Sequence, residues 1–310
     1  MPDGGVAGVG FTRSASVHGQ HGHGDYDVMV FRFSRAGELE WLRISGTSLA
    51  EQARSITRMA SGALILAGEQ LELASSGPRP CFDSKLLVAG VSPGGVFRWD
   101  RTLSRPGRSW FGRSSVRAGQ RAILVGGGTR LACLSGLGQS ESAGKTWKVT
   151  AGGRVSAEDT VHKVPSVDVL EPYDSGTLLG GTELGAGTPH PLVATIDSVG
   201  VVKWLPSGAS VGWLSGLVAV QGGVALALSR PPGDGFPWRA LVEVQCWAGG
   251  HFRSFQPNAS DTSYYMSATT DGDGGTLLTG AAFGIFEGLR MGNGGAGVVQ
   301  RVPRGKLQPC

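Results

Sequence analysis

Residues 27–68 read DVMVFRFSRAGELEWLRISGTSLAEQARSITRMASGALILAG, and they decide the fold because their grammar recurs to the end of the chain. Gly37 turns the chain; two residues on, the apolar Leu39 opens a strand that carries Trp41 at the fourth position. After a polar loop, a strand runs into the turn Ser61-Gly62, and the apolar run Ala63-Leu64-Ile65-Leu66-Ala67 closes on Gly68. The turn glycine returns at Gly95, Gly153, Gly200, Gly250 and Gly305, each followed two residues later by an apolar side chain: Phe97, Val155, Val202, Phe252 and Leu307. Trp99 and Trp204 repeat the place of Trp41. A second anchor interleaves, an apolar strand ended by glycine at Gly10, Gly68, Gly127, Gly181 and Gly280, with Ser229 in that place in the remaining repeat.

A repeat of this length, longer than ankyrin or leucine-rich units, matches a propeller blade of four antiparallel strands. The expected fold is all-β: a β-propeller of about six four-stranded blades, with seven possible, in a single domain over residues 1–310. The first unit begins at its second strand (6–9) and the last ends in its fourth (306–310), so one blade is incomplete at the N-terminus. Loss of an upstream segment, which could have held a signal peptide, is the favoured explanation. The six apolar residues after the turn glycines should occupy equivalent, mostly buried positions, and the three tryptophans in register should be packing residues.

The segments DVMVFRFSRAGELEW, LVATIDSVGVVKW and DGDGGTLLTG resemble the bacterial β-propeller repeats of the SBBP-like, "DGG…G" type. The resemblance implies the fold alone, since one propeller scaffold serves many roles.

Composition bounds the rest. The 52 glycines among 310 residues, more than twice the ordinary share, fit many tight turns. A net charge of +4 from scattered arginines, with no dense basic run, argues against a nucleic-acid partner. No apolar run reaches the ~18 residues of a membrane span, and the start lacks the apolar core of a signal peptide. An extracellular or periplasmic location is therefore expected only if an upstream signal peptide is missing. The four cysteines lack CxxC spacing. Cys81 and Cys133 follow second strands of neighbouring blades and could be bridged; Cys246 should be a buried thiol.

The long connections, at 11–24, 69–82, 128–144, 182–189, 230–237 and 281–295 after second strands, and at 45–52, 102–112 and 207–212 after fourth strands, all fall on one face. Loops on a rigid scaffold are where binding sites are built. Two constellations lie there. His18, His21 and His23 with Asp25, in a glycine-rich loop, could converge on Zn²⁺, Cu²⁺ or Ni²⁺, or simply be solvated. Otherwise no cofactor is expected. Around the mouth of a central channel, Arg54, Trp110, Arg113, His162, Trp213 and Tyr264 could hold an anionic or polyhydroxy ligand, with the alternative that half the rings pack between blades. No GxSxG, HExxH or Walker sequence is present. Three functions compete: a non-catalytic binding or scaffold propeller engaging a protein or glycan through its loop-rich face; a propeller enzyme, a metal-assisted hydrolase or lyase, with its site at the channel mouth; and a structural subunit of a larger complex.

Overall fold

The structure is a computed structural model. It describes residues 3–75, 81–131, 142–174, 176–185, 188–206, 211–230, 238–247, 252–256, 262–270, 275–283, 285–286, 289–290 and 296–303. All regular elements among them are strands, and they form the blades of a β-propeller fold. The chain divides into two compact units, Met1–Val167 and Asp168–Cys310.

In the first unit, β1 (Val6–Thr12) is followed by a small hairpin, β2 (Ser16–Val17) and β3 (Gln20–His21), and then by β4 (Asp27–Phe33) and β5 (Leu39–Ser45). Strands β1, β4 and β5 make a three-stranded antiparallel blade, with no first strand among the described residues. The second blade runs β6 (Ala50–Arg58), β7 (Leu64–Ser75), β8 (Cys81–Val91), β9 (Phe97–Leu103), and the third β10 (Arg108–Arg117), β11 (Ala122–Leu131), β12 (Ala143–Thr150), β13 (Val155–Val161), both in simple meander order.

The second unit repeats the scheme with β14 (Val169–Tyr173), β15 (Gly176–Gly185), β16 (Thr188–Ile196), β17 (Val202–Trp204), and with β18 (Trp213–Val220), β19 (Gly223–Arg230), β20 (Arg239–Cys246), β21 (Phe252–Phe255). Its last blade holds β22 (Ser263–Thr270) and β23 (Thr276–Ala282), an inserted hairpin of β24 (Ile285–Phe286) and β25 (Leu289–Arg290), and β26 (Ala296–Val302). The fourth strand expected at 306–310 lies outside the described residues.

The repeat has a physical cause. Gly37, Gly95, Gly153 and Gly200 have φ of 83°, 83°, 81° and 91°, the left-handed conformation that closes a hairpin with one bulged residue. Some of these glycines are fixed a second time by the preceding blade. A Cβ on Gly95 would lie 2.8 Å from Cδ2 of Trp41, and one on Gly153 2.7 Å from Cε3 of Trp99. The Trp99 Nε1–H also donates to Ala151 O at 3.0 Å. Trp41 and Trp99 thus lie over the turn of the next blade, which is why ring and glycine recur together there.

Leu39, Phe97, Val155, Val202 and Phe252 do occupy equivalent places, the first residue of β5, β9, β13, β17 and β21. They are not buried as expected: Leu39 is 36% exposed, and Phe97, Val155 and Val202 are half-buried. A fourth strand is the outer edge of its blade, so only part of it is covered. Leu307, and the side chain of Phe252, lie outside the described residues.

The core sits instead on the middle strands. Between the second and third blades, Leu86 and Val88 meet Ile123, Val125, Trp147 and Val149, all essentially without solvent contact. Burying a ring the size of Trp147 stabilises by roughly 4–6 kcal/mol at ~25 cal/mol per Å². Polar clasps set the spacing of neighbouring blades: the Ser109 hydroxyl accepts from Ser84 N–H at 3.1 Å and donates to Asp83 at 3.0 Å, and the Ser263 hydroxyl accepts from Ala240 N–H at 3.2 Å.

Candidate functional site

Four first strands carry an extra residue, in three of them directly after the residue paired with the strand-closing glycine and in β18 one pair later. In β6, Ala53 pairs with Gly68 and Ser55 with Ala67, leaving Arg54 out of the ladder. In β10, Gly112 pairs with Gly127 and Ser114 with Gly126, leaving out Arg113. The residues left out of β18 and β22 are Ser215 and Met266. A β-bulge bends its strand and re-aims a side chain, and bulges gather beside binding and active sites.

The bulge also explains the strand-closing glycine. A Cβ on Gly68, Gly127 or Gly280 would collide with the carbonyl oxygen of Gln52, Phe111 or Tyr264, respectively, the residue two before each bulge. Only hydrogen fits. Gly10 in β1 faces no first strand among the described residues, and a Cβ there would meet nothing closer than Met29 Cε at 3.9 Å.

The bulged residues of the second and third blades, Arg54 and Arg113, converge on one carboxylate. Glu69 follows Gly68 on β7 and is 6% exposed; its Oε1 lies 3.3 Å from Arg54 Nη2 and 3.6 Å from Arg113 Nη1. Gln52, paired with Glu69 across the ladder, accepts a second bond from Arg54 at 2.5 Å. Aromatic rings support both guanidinium groups, Phe11 under Arg54 at 5.1 Å and Phe111 under Arg113 at 4.9 Å. Beyond Phe111 stands Arg130 at 6.0 Å; beyond Phe11, Tyr26 packs edge-on at 5.4 Å and carries Arg13 over its own ring at 4.9 Å.

One buried carboxylate shared by two guanidinium groups leaves a positive surplus. The two arginine side chains remain about one-third exposed, at 32% and 38%. With donors left over in a rigid planar fork, this row can take a carboxylate, sulfate or phosphate group, and Phe11, 37% exposed, adds apolar surface beside it.

Of the residues singled out by sequence, Arg54 and Arg113 are brought together. Trp110 is not a free ring: it is 6% exposed and packs on Trp147 with ring centres 5.5 Å apart, because on β10 it alternates with Ser109 and Phe111 and faces the core. His162 is exposed just after β13. Trp213, 40% exposed, and the half-buried Tyr264 belong to the second unit. Sequence reasoning missed Glu69 and Phe11. The available signal was a carboxylate directly after a strand-closing glycine.

The histidine loop is not gathered into a ligand set. His18 and Gly19, with φ of 47° and 74°, form the two-residue tip of the β2–β3 hairpin. His18, His21 and His23 are exposed, and Asp25 is paired with Arg13 at 2.8 Å. Among the described residues, no three His, Cys, Asp or Glu side chains are grouped to hold a metal ion.

Two further groups depart from expectation. Cys246 is buried but disulfide-bonded rather than a thiol, and no described cysteine is free. Cys133, half of the expected bridge to Cys81, lies outside the described residues. Glu171 on β14 stands between Val169 and Tyr173, which pack on the core of the second unit, and burial pushes its carboxyl up to about 7.

No protein-family model matches the sequence, and no curated protein matches it. Solved structures similar to it include an ACO/RPE65 chimera, at 12% identity and a TM-score of 0.45, and mutants of the Synechocystis apocarotenoid oxygenase, at 11% identity and TM-scores of 0.44 and 0.45. Each comparison covers 83% of this chain, which spans 64% of the length of those structures. Likeness of this degree transfers no residue role and no activity.

Proposed function

We propose that this chain is a binding propeller that engages an acidic group, carried by a glycan or a protein, through the arginine row of its first unit. The observation that carries the reading is the convergence of Arg54 and Arg113, from equivalent bulges on adjacent blades, onto the buried Glu69. A bulge re-aims the side chain it leaves out of the ladder, and of the four bulged strands the two on adjacent blades of the first unit present arginines there. The disulfide at Cys246 supports an oxidising compartment, hence an extracellular or periplasmic setting. The test is a binding screen of sulfated and uronic-acid oligosaccharides, neutral sugars, and acidic and neutral peptides. Binding confined to the acidic members, and lost in Arg54→Lys and Arg113→Lys, supports the reading; equal capture of neutral members removes it.

A second reading, a propeller enzyme, rests on Glu171. A partly buried carboxyl titrating near neutrality is suited to general acid–base work. Glycosidase, lyase and esterase assays separate the two readings: turnover with a Glu171-dependent pH profile favours the enzyme.

A further inference from the structure

Asp27 opens β4, and Glu51 is the second residue of β6, so they meet where the first blade joins the second. Both are removed from water, at 1% and 3% exposure. A carboxylate buried that completely needs hydrogen bonds and an opposite charge. Glu51 has the first: Thr47 N–H at 3.1 Å, Thr47 O–H at 2.5 Å and the Gln70 amide at 2.8 Å all donate to it. Asp27 is served on one oxygen only. Its Oδ2 accepts from His23 N–H at 2.8 Å and Gly24 N–H at 3.4 Å, while the buried Oδ1 has no partner. Arg32, the arginine nearest in sequence to Asp27, is paired with Asp3 and Glu40, and Arg54, the arginine nearest to Glu51, with Glu69.

Gly46 shows where the unpartnered oxygen is aimed. A Cβ built there would collide with Asp27 Oδ1 and stand 3.0 Å from Glu51 Oε2, so the two oxygens face one point and lie within about 5 Å of each other. A side chain at 46 would fill that gap. A cavity of about 50 Å³, lined by Gly46, Thr47, Glu51, Gln70 and Asp100 among others, is large enough for water. The oxygens around the gap are those of two carboxylates, with the Thr47 hydroxyl beside Glu51. Such a set suits a hard cation of the calcium class rather than zinc or copper.

We infer that Asp27 and Glu51 bind a calcium-like divalent cation at this junction, with Asp27 Oδ1 and Glu51 Oε2 as its carboxylate ligands and water completing the shell. The ion compensates both buried charges at once. It also ties the segment held by Asp27 through His23 and Gly24 to the segment held by Glu51 through Thr47, where Glu51 N–H already donates to Tyr26 O at 2.7 Å.

The test uses the full chain, dialysed against a chelator and titrated calorimetrically with CaCl₂ and MgCl₂, with thermal unfolding followed in parallel. At a hundredfold excess of Ca²⁺ over its Kd, the midpoint should rise by about 5 °C, and chelator should reverse the rise. Asp27→Asn keeps an acceptor for His23 and Gly24; it and Glu51→Gln should each weaken Ca²⁺ at least tenfold, while Asp25→Asn should leave it unchanged. Should Asp27→Asn fail to fold, metal analysis of the wild-type protein equilibrated with Ca²⁺ decides: about one bound ion per chain supports the site, and none overturns it. No midpoint shift with either cation, or the same Ca²⁺ affinity in Glu51→Gln, overturns it as well.

Discussion

At the scale of the residue, the glycines divide into those that the backbone needs and those that a neighbour needs, and the two kinds should respond differently to alanine. Gly37 has a left-handed φ but open space around its Cβ position, so Gly37→Ala should cost only about 1–2 kcal/mol. At Gly68 and Gly127 the obstacle is a backbone carbonyl, which cannot turn aside without breaking the bulge. Gly68→Ala and Gly127→Ala should therefore cost more than Gly37→Ala, about 3 kcal/mol or above by urea unfolding. Equal costs in the two classes would remove this explanation of the repeat. The half-buried Trp41 should also be cheaper to truncate than the fully buried Trp147, at about 2 against 3–5 kcal/mol.

Glu171 gives a pH dependence of defined sign. Burial raises its carboxyl from 4.5 unfolded to about 7 folded, so between those values the native state binds more protons than the unfolded state. Stability must then fall as pH rises through that window, and the penalty is complete above about pH 7. Glu171→Gln should flatten this slope and be more stable than the wild type at pH 8. Chemical unfolding at pH 5, 6, 7 and 8 reads both, and an unchanged slope in the variant would assign the effect elsewhere.

At the scale of the element, the blade order was legible because turn glycines, tryptophans and apolar runs mark strand boundaries. Strand lengths were less so. Residues 69–82 read as a loop, yet β7 continues to Ser75 and β8 starts at Cys81, with Leu71 paired to Ser84 and Glu72 to Asp83. Charged side chains hid the alternation of Gln70-Leu71-Glu72-Leu73, since a hairpin that outruns the first strand has solvent on both faces. The bulges were not legible either: an extra residue changes a register, and register is a relation between two strands rather than a property of one. For the same reason Arg54 and Arg113 could be picked out, but not their meeting at Glu69. Because that carboxylate is buried and shared, Arg54→Ala with Arg113→Ala should destabilise by more than the sum of the single changes. A double-mutant cycle with no coupling would mean that Glu69 is satisfied without them.

At the scale of the whole molecule, the described residues of each unit hold three blades packed through buried middle strands, with a bridging hydroxyl at Ser109 in the first unit and at Ser263 in the second. Cys246 adds a covalent tie, and Cys246→Ala should cost about 2–5 kcal/mol and make the protein insensitive to mild reductant at that site. The functional claim rests on the two bulged arginines, and calorimetric titration of an acidic ligand from the binding screen measures it most directly. Arg54→Lys and Arg113→Lys keep the charge facing Glu69 but lose the planar fork. The account predicts that each weakens the ligand at least tenfold with an unfolding midpoint close to that of the wild type; wild-type affinity in both variants would contradict it.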